Sequence, residues 1–128
     1  MKKIVAEQKI EYRNTLLNKS FQFAVRSIRL YKTLTSRDKT FSPLYIQLLK
    51  SSTSIGANIS EAQSAPSKKD FVNKLNIALK ESQETEYWIK LLKESDLLTL
   101  NEFESISNDC IELIKLLISI IKKSKQTL

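Results

Sequence analysis

Apolar residues recur along this chain at the spacing of helices, not of strands. In the first third, Leu17, Phe21, Phe23, Ala24, Ile28, Leu30, Tyr31 and Leu34 keep a helical beat. They predict a first helix from about Asn14 to Thr35, preceded by a polar arm over residues 1–13 that is frayed or extends it. A loop over Ser36–Ser42 follows. Pro43 suits the first turn of a second helix with Ser42 as its N-cap, running to about Gln63. Pro66 marks the next break. Ser67-Lys68-Lys69-Asp70 has the Ser-x-x-acid pattern of a helix start, so a third helix is expected from there to about Glu94. A fourth spans roughly Asn101–Lys123, with Lys122, Lys123 and Lys125 near the negative end of its dipole.

The second helix carries an unusual stretch, Ser51-Ser52-Thr53-Ser54-Ile55-Gly56-Ala57-Asn58-Ile59-Ser60-Glu61-Ala62. Leu48, Ile55, Ile59 and Ala62 keep the apolar beat, but Ser, Thr, Asn and Gly between them cost a few tenths to about 1 kcal/mol each against Ala. Close packing can offset that. Ser52, Gly56 and Ser60 stand at i, i+4, i+8 and would let another backbone approach.

Two helices carry more apolar surface than one core needs. On the third, Phe71, Leu75, Ala78, Ser82, Ile89 and Leu92 form one stripe, and Ile77, Glu84, Trp88 and Leu91 form a second about a third of a turn away. On the fourth, apolar residues from Phe103 to Ile121 span over half the circumference. A bundle helix needs a stripe of about 100°, so the excess predicts a subunit interface. The expected architecture is all-α, a single four-helix-bundle domain over residues 14–128.

Composition narrows the chemistry. The 128 residues hold one Gly, two Pro, one Cys and no His. A chain of this size can build a core without disulfides or metals. No intrachain disulfide is possible, which suits a reducing cytoplasm. Residues 1–7 lack the apolar core of a signal peptide, and Ile111–Ile121 is too short and too interrupted to span a membrane. Without His, the His-dependent triads, zinc motifs and the Glu-x-x-His di-iron pattern are excluded. No phosphate-cradling glycine pattern exists. Cys110 lies among Ile106, Ile111 and Ile114 and reads as a core residue. No catalytic residue, metal site or cofactor is expected.

Charge adds one candidate function. The net charge is +7, placed unevenly: +8 over residues 1–50, −5 over 51–112 and +4 over 113–128. Lys19, Arg26, Arg29 and Lys32 share a helix face, and Lys68 and Lys69 add a basic spot at a helix start. These six could track phosphates. Opposite charges could equally meet inside the bundle or between subunits. Glu81 reads as solvated. Glu84, on the second apolar stripe, would need a partner if desolvated, with an Arg of the first helix or Asn58 the expected one.

Ser54-Ile55-Gly56-Ala57-Asn58-Ile59-Ser60-Glu61-Ala62 resembles the S-I-x-x-N-I-x-E-G/A signature of the bacterial 23S rRNA intervening-sequence proteins. Asn58 and Glu61 stand at the signature's Asn and Glu, and Ala62 replaces the commoner Gly. Residues 70–92, with Ile77-Ala78-Leu79-Lys80-Glu81 and Glu84-Thr85-Glu86-Tyr87-Trp88, are similar to that family's third helix. The resemblance covers about residues 20–123. It implies an antiparallel up-down bundle assembling as a ring, typically a homopentamer, with Gly56, Asn58, Glu61, Glu84 and Trp88 as structural signature positions. A related branch, the accessory proteins of diversity-generating retroelements, binds nucleic acid. The expectation is a non-enzymatic cytoplasmic oligomer that binds RNA or DNA and no membrane, or else a protein-binding scaffold whose basic face serves subunit contacts.

Overall fold

The computed structural model describes residues 2–126, with side chains from Ile10 onward. Four helices fill it: α1 (Lys2–Arg37), α2 (Ser42–Ala62), α3 (Lys68–Glu94) and α4 (Leu100–Gln126). No strand occurs among the described residues. Each helix packs on the next in sequence, and α1 also meets α4.

The core follows the apolar beat most faithfully on α3. Phe71, Leu75, Ala78, Ser82, Ile89 and Leu92 are all buried, joined by Val72 and Thr85. They meet Leu48, Ile55, Ile59 and Ala62 of α2 and Ile106, Cys110, Leu113, Leu117 and Ile120 of α4. Small hydroxyl residues sit inside without penalty because, among the described residues, no fully buried side-chain oxygen lacks a partner. Thr85 Oγ1 lies 2.9 Å from Ser51 Oγ, tying α3 to α2. Cys110 Sγ donates to the Ser82 carbonyl at 3.4 Å, and burial pushes the thiol up to about 12.

The close approach expected at Gly56 exists, and its neighbour is α1. A Cβ on Gly56 would stand 3.3 Å from the Ser20 carbonyl oxygen. Ser52 is fully buried beside it, but Ser60 is exposed, so the small-residue row works along only part of its length.

Four expectations need correction. Helix α1 begins at Lys2, not near Asn14; the polar arm is the helical extension. Phe41, not Ser42, is the N-cap of α2, without a side-chain cap, and Pro43 lies within the first turn. The preceding turn is instead organised by Asp38, whose Oδ1 accepts from the Thr40 amide at 2.9 Å. On α1, Phe21 is 65 % exposed and Ile28 43 %. The inward positions are Leu16, Ser20, Phe23, Ser27 and Leu34. Finally, Glu84 is exposed and pairs neither with an arginine of α1 nor with Asn58.

Both ends of α3 and the start of α4 are well closed. Ser67 caps α3 as expected: its Oγ accepts from the Asp70 amide at 3.1 Å and donates to Asp70 Oδ2 at 2.8 Å. Beyond the other end, Asp96 takes a left-handed φ of 59°, the place glycine usually fills. It lets the Leu97 amide donate to the Leu92 carbonyl at 2.9 Å. Thr99 and Glu102 then cap α4 reciprocally, each amide donating to the other's side chain, at 2.9 and 3.1 Å.

Candidate nucleic-acid interface

The six candidate cations do not form one surface. Lys19 and Arg26 lie where α1 meets α4. Lys19 pairs with Glu112, and Arg26 pairs with Asp109 and donates to Ser105 Oγ. A third bridge, Arg37 to Glu102, closes the seam at its far end. Part of the basic first third therefore meets the acidic middle of the same chain.

Arg29 and Lys32 differ. Both are exposed, one turn apart on α1, and neither makes an ion pair among the described residues. The half-exposed Ile28 stands immediately before Arg29. Lys68 and Lys69 stand in the first turn of α3, where helix amides also favour anions. That turn lies level with Arg13 of α1, because Arg13 packs on Phe71. Sixteen residues of helix separate Arg13 from Arg29, about 24 Å at 1.5 Å per residue. Phosphates at Arg29 and at Lys68 would belong to different parts of one strand.

The family-signature residues have structural neighbours. Gly56 faces Ser20. Asn58 Nδ2 donates to the Ser54 carbonyl of its own helix at 2.8 Å. Glu61 accepts from Lys74 Nζ at 2.7 Å, joining α2 to α3 across the surface. Glu84 accepts a long bond from Trp88 Nε1 at 3.4 Å, and the Trp88 ring meets Tyr87 edge to face at 5.0 Å. Beside them burial, and then the charge of Glu84, raises the carboxyl of Glu81, so Glu81 is less solvated than its position suggests. This surface of α3 combines carboxylates with exposed Ile77 and Tyr87.

Two cations lie outside the six candidates: Arg13, in the polar arm, and Lys123, which the sequence marks only as a favourable charge on the helix dipole. Each lies against an aromatic ring: Arg13 Cζ is 4.4 Å from the Phe71 centroid and Lys123 Nζ 4.0 Å from that of Tyr12. No local pattern announces contacts made across three helices.

The sequence pattern of the 23S rRNA-intervening sequence proteins matches residues 13–119. The chain belongs to this family. A solved structure sharing the fold is a protein of unknown function from the S23 ribosomal protein family of Bacteroides thetaiotaomicron. It is 54 % identical, with a TM-score of 0.83, and the match covers 87 % of this chain and 98 % of that one. No curated protein matches. Neither the family description nor that relative names an activity. Among the described residues no three His, Cys, Asp or Glu gather as metal ligands, and no helix is long and apolar enough to cross a membrane.

Proposed function

We propose that this family member is a non-enzymatic cytoplasmic oligomer that binds RNA or another nucleic acid through its basic surface. The observation that carries the reading is the exposed pair Arg29 and Lys32, without carboxylate partners among the described residues, on a chain of net charge +7. Lys68 and Lys69 extend it at the far end, while Lys19 and Arg26 contribute less because carboxylates of α4 already neutralise them. Binding of this kind is electrostatic and tolerant of sequence.

The bundle is read as antiparallel and up-down. Along the α1–α4 seam, Lys19, Arg26 and Arg37 meet Glu112, Asp109 and Glu102, so numbers rise on one helix as they fall on the other. Subunits close into a ring, five by family resemblance. A ring needs two different complementary faces per subunit. Exposed Phe21 and Ile28 beside Arg29 on α1, and Ile77 and Tyr87 beside Glu84 on α3, supply apolar patches of opposite charge.

That complementarity also favours the second reading, a scaffold in which Arg29 and Lys32 serve subunit contacts. Titration with single-stranded RNA at low salt, beside a sizing run, separates the two. RNA binding that weakens steeply with salt supports the first. An intact ring with no RNA affinity supports the second.

A further inference from the structure

The end of the molecule where α1, the α2–α3 connection and α4 meet holds a cleft of about 470 Å³. This lies within the range of about 300–1,000 Å³ of small-molecule sites. Its floor is apolar: Phe71 and Ile120 line it and both are almost fully buried. Its rim is cationic, with Arg13, Lys68 and Lys123 from three different helices. Tyr12 adds a partly exposed ring.

The placing of Arg13 is the decisive feature. Its guanidinium rests on the Phe71 ring and makes no ion pair among the described residues. Arginine on an aromatic face keeps its in-plane N–H donors for another group. Lys123 Nζ lies over the Tyr12 ring. The two contacts hold cations at the mouth of a cleft with an apolar floor. Nearby Asp70 is the one acid at the start of α3, and it is bound to the Ser67 hydroxyl through Oδ2.

We infer that this cleft binds a phosphate monoester carrying a flat, weakly polar body, of the size of a mononucleotide. The phosphate takes donors from Arg13, Lys123 and Lys68, and the body fills the cleft against Ala65, Pro66 and Ile120. This site is separate from the Arg29–Lys32 face and does not depend on it. The same chemistry could come from a free nucleotide or from the 5′-phosphate end of a strand.

The test uses the full chain with four probes: adenosine monophosphate, adenosine, inorganic phosphate and a short oligonucleotide with or without a 5′-phosphate. Calorimetry should give adenosine monophosphate a dissociation constant in the micromolar to submillimolar range at low salt. Adenosine and inorganic phosphate should each bind at least tenfold more weakly. R13Q and K123Q should each weaken the nucleotide at least fivefold, whereas R29Q with K32Q should leave it unchanged even if long RNA is lost. Amide shifts on titrating the wild type should centre on Tyr12, Phe71 and Ser124, a readout independent of how well any variant folds. A 5′-phosphorylated strand bound more tightly than the free nucleotide identifies the strand end as the source, and the reverse order identifies the free nucleotide. Absence of nucleotide binding at millimolar concentration overturns the inference. So does binding indifferent to R13Q and K123Q, shifts centred elsewhere, or equal affinity for inorganic phosphate.

Discussion

Arg37, the last residue of α1, holds Glu102 in the first turn of α4 with both terminal guanidinium nitrogens, at 3.1 and 2.8 Å. The same carboxylate accepts from the Thr99 amide, so one side chain both caps α4 and ties it to α1. The Arg37 hydrogen bond holds the Glu102 carboxyl below its ordinary value of 4.5, against the opposing effect of partial burial. A lowered carboxyl stabilises the fold above its unfolded value, and the contribution is lost as pH falls through the folded one. Glu102→Gln should therefore cost up to about 1 kcal/mol at neutral pH, as partly exposed pairs do. It should cost nothing once both forms are protonated in acid. Glu102→Ala also removes the cap and should lose about 1 kcal/mol more. Denaturant melts of the three proteins at pH 7 and through a descending series of pH values check this. Glu81 acts with the opposite sign, because its raised carboxyl stabilises below the unfolded value and fades as pH rises, but it is common to all three.

The approach of α1 to α2 at Ser20 and Gly56 gives a second forecast. Gly56→Ala places a methyl 3.3 Å from a backbone oxygen, a contact that needs a shift of a few tenths of an ångström. Its helix-propensity gain of up to about 1 kcal/mol offsets that strain, so the melting temperature should move little. Gly56→Leu adds bulk where the neighbour is backbone and should destabilise by about 1–3 kcal/mol. An unaltered melt for Gly56→Leu would mean that α1 can move away without cost.

Helix α3 was legible because its apolar residues bracket its buried hydroxyls: Phe71, Leu75 and Ala78 precede Ser82 and Thr85, Ile89 and Leu92 follow, and its cap is the local pattern Ser67-x-x-Asp70. Helix α1 was less so. Ser20 and Ser27 are buried because each hydroxyl donates to a carbonyl of its own helix, at 3.1 and 2.9 Å. A serine satisfied in that way weighs little against burial, and hydropathy cannot register it. Phe21 and Ile28 then read as core while they face outward. The turn at Asp96 carries no glycine to announce its left-handed residue. The candidate cations were legible as a face of α1. Their division into paired and unpaired members was not, because it depends on which carboxylates of α4 lie opposite.

Glu84 and Trp88 yield a third prediction. The carboxylate is exposed in the protomer, accepts one long bond from Trp88 at 3.4 Å and meets the carboxyl of Glu81. Glu84→Gln should leave protomer stability within about 0.5 kcal/mol, the range of ordinary surface changes. If the α3 face with Ile77 and Tyr87 packs on a neighbouring subunit, the same substitution should loosen the oligomer. Light scattering over a dilution series checks this, with a shift in the dissociation midpoint expected. No shift would place the subunit contact elsewhere.

Cys110 should be inert. Its thiol is fully buried, and desolvation, with a smaller contribution from Glu86, pushes it up to about 12. The thiolate is the reactive form, so alkylation at pH 8 should proceed only through opening of the bundle. Its rate should rise with denaturant in step with unfolding. Rapid labelling of the native protein would show local opening between α3 and α4.

The last prediction separates the two functional readings, and the ion pairs decide which residues to change. Reversing Arg26 would set a glutamate against Asp109 and disturb the α1–α4 seam, so lost RNA binding in that variant would be ambiguous. Arg29 and Lys32 avoid the difficulty, because no ion pair among the described residues breaks when they change. Arg29→Glu with Lys32→Glu should leave the thermal melt nearly unaltered. If the face contacts phosphates, single-stranded RNA affinity should fall at least tenfold. The log–log salt slope should lose about 0.7 for each phosphate contact removed. A ring repeats the face in every subunit, so the loss should be larger for long strands than for short ones. If the same residues meet Glu84 of a neighbour, the double variant should instead dissociate on sizing. Adding Glu84→Lys should then restore the ring. Intact assembly with lost RNA binding upholds the nucleic-acid reading. Dissociation rescued by the compensating charge replaces it with the scaffold.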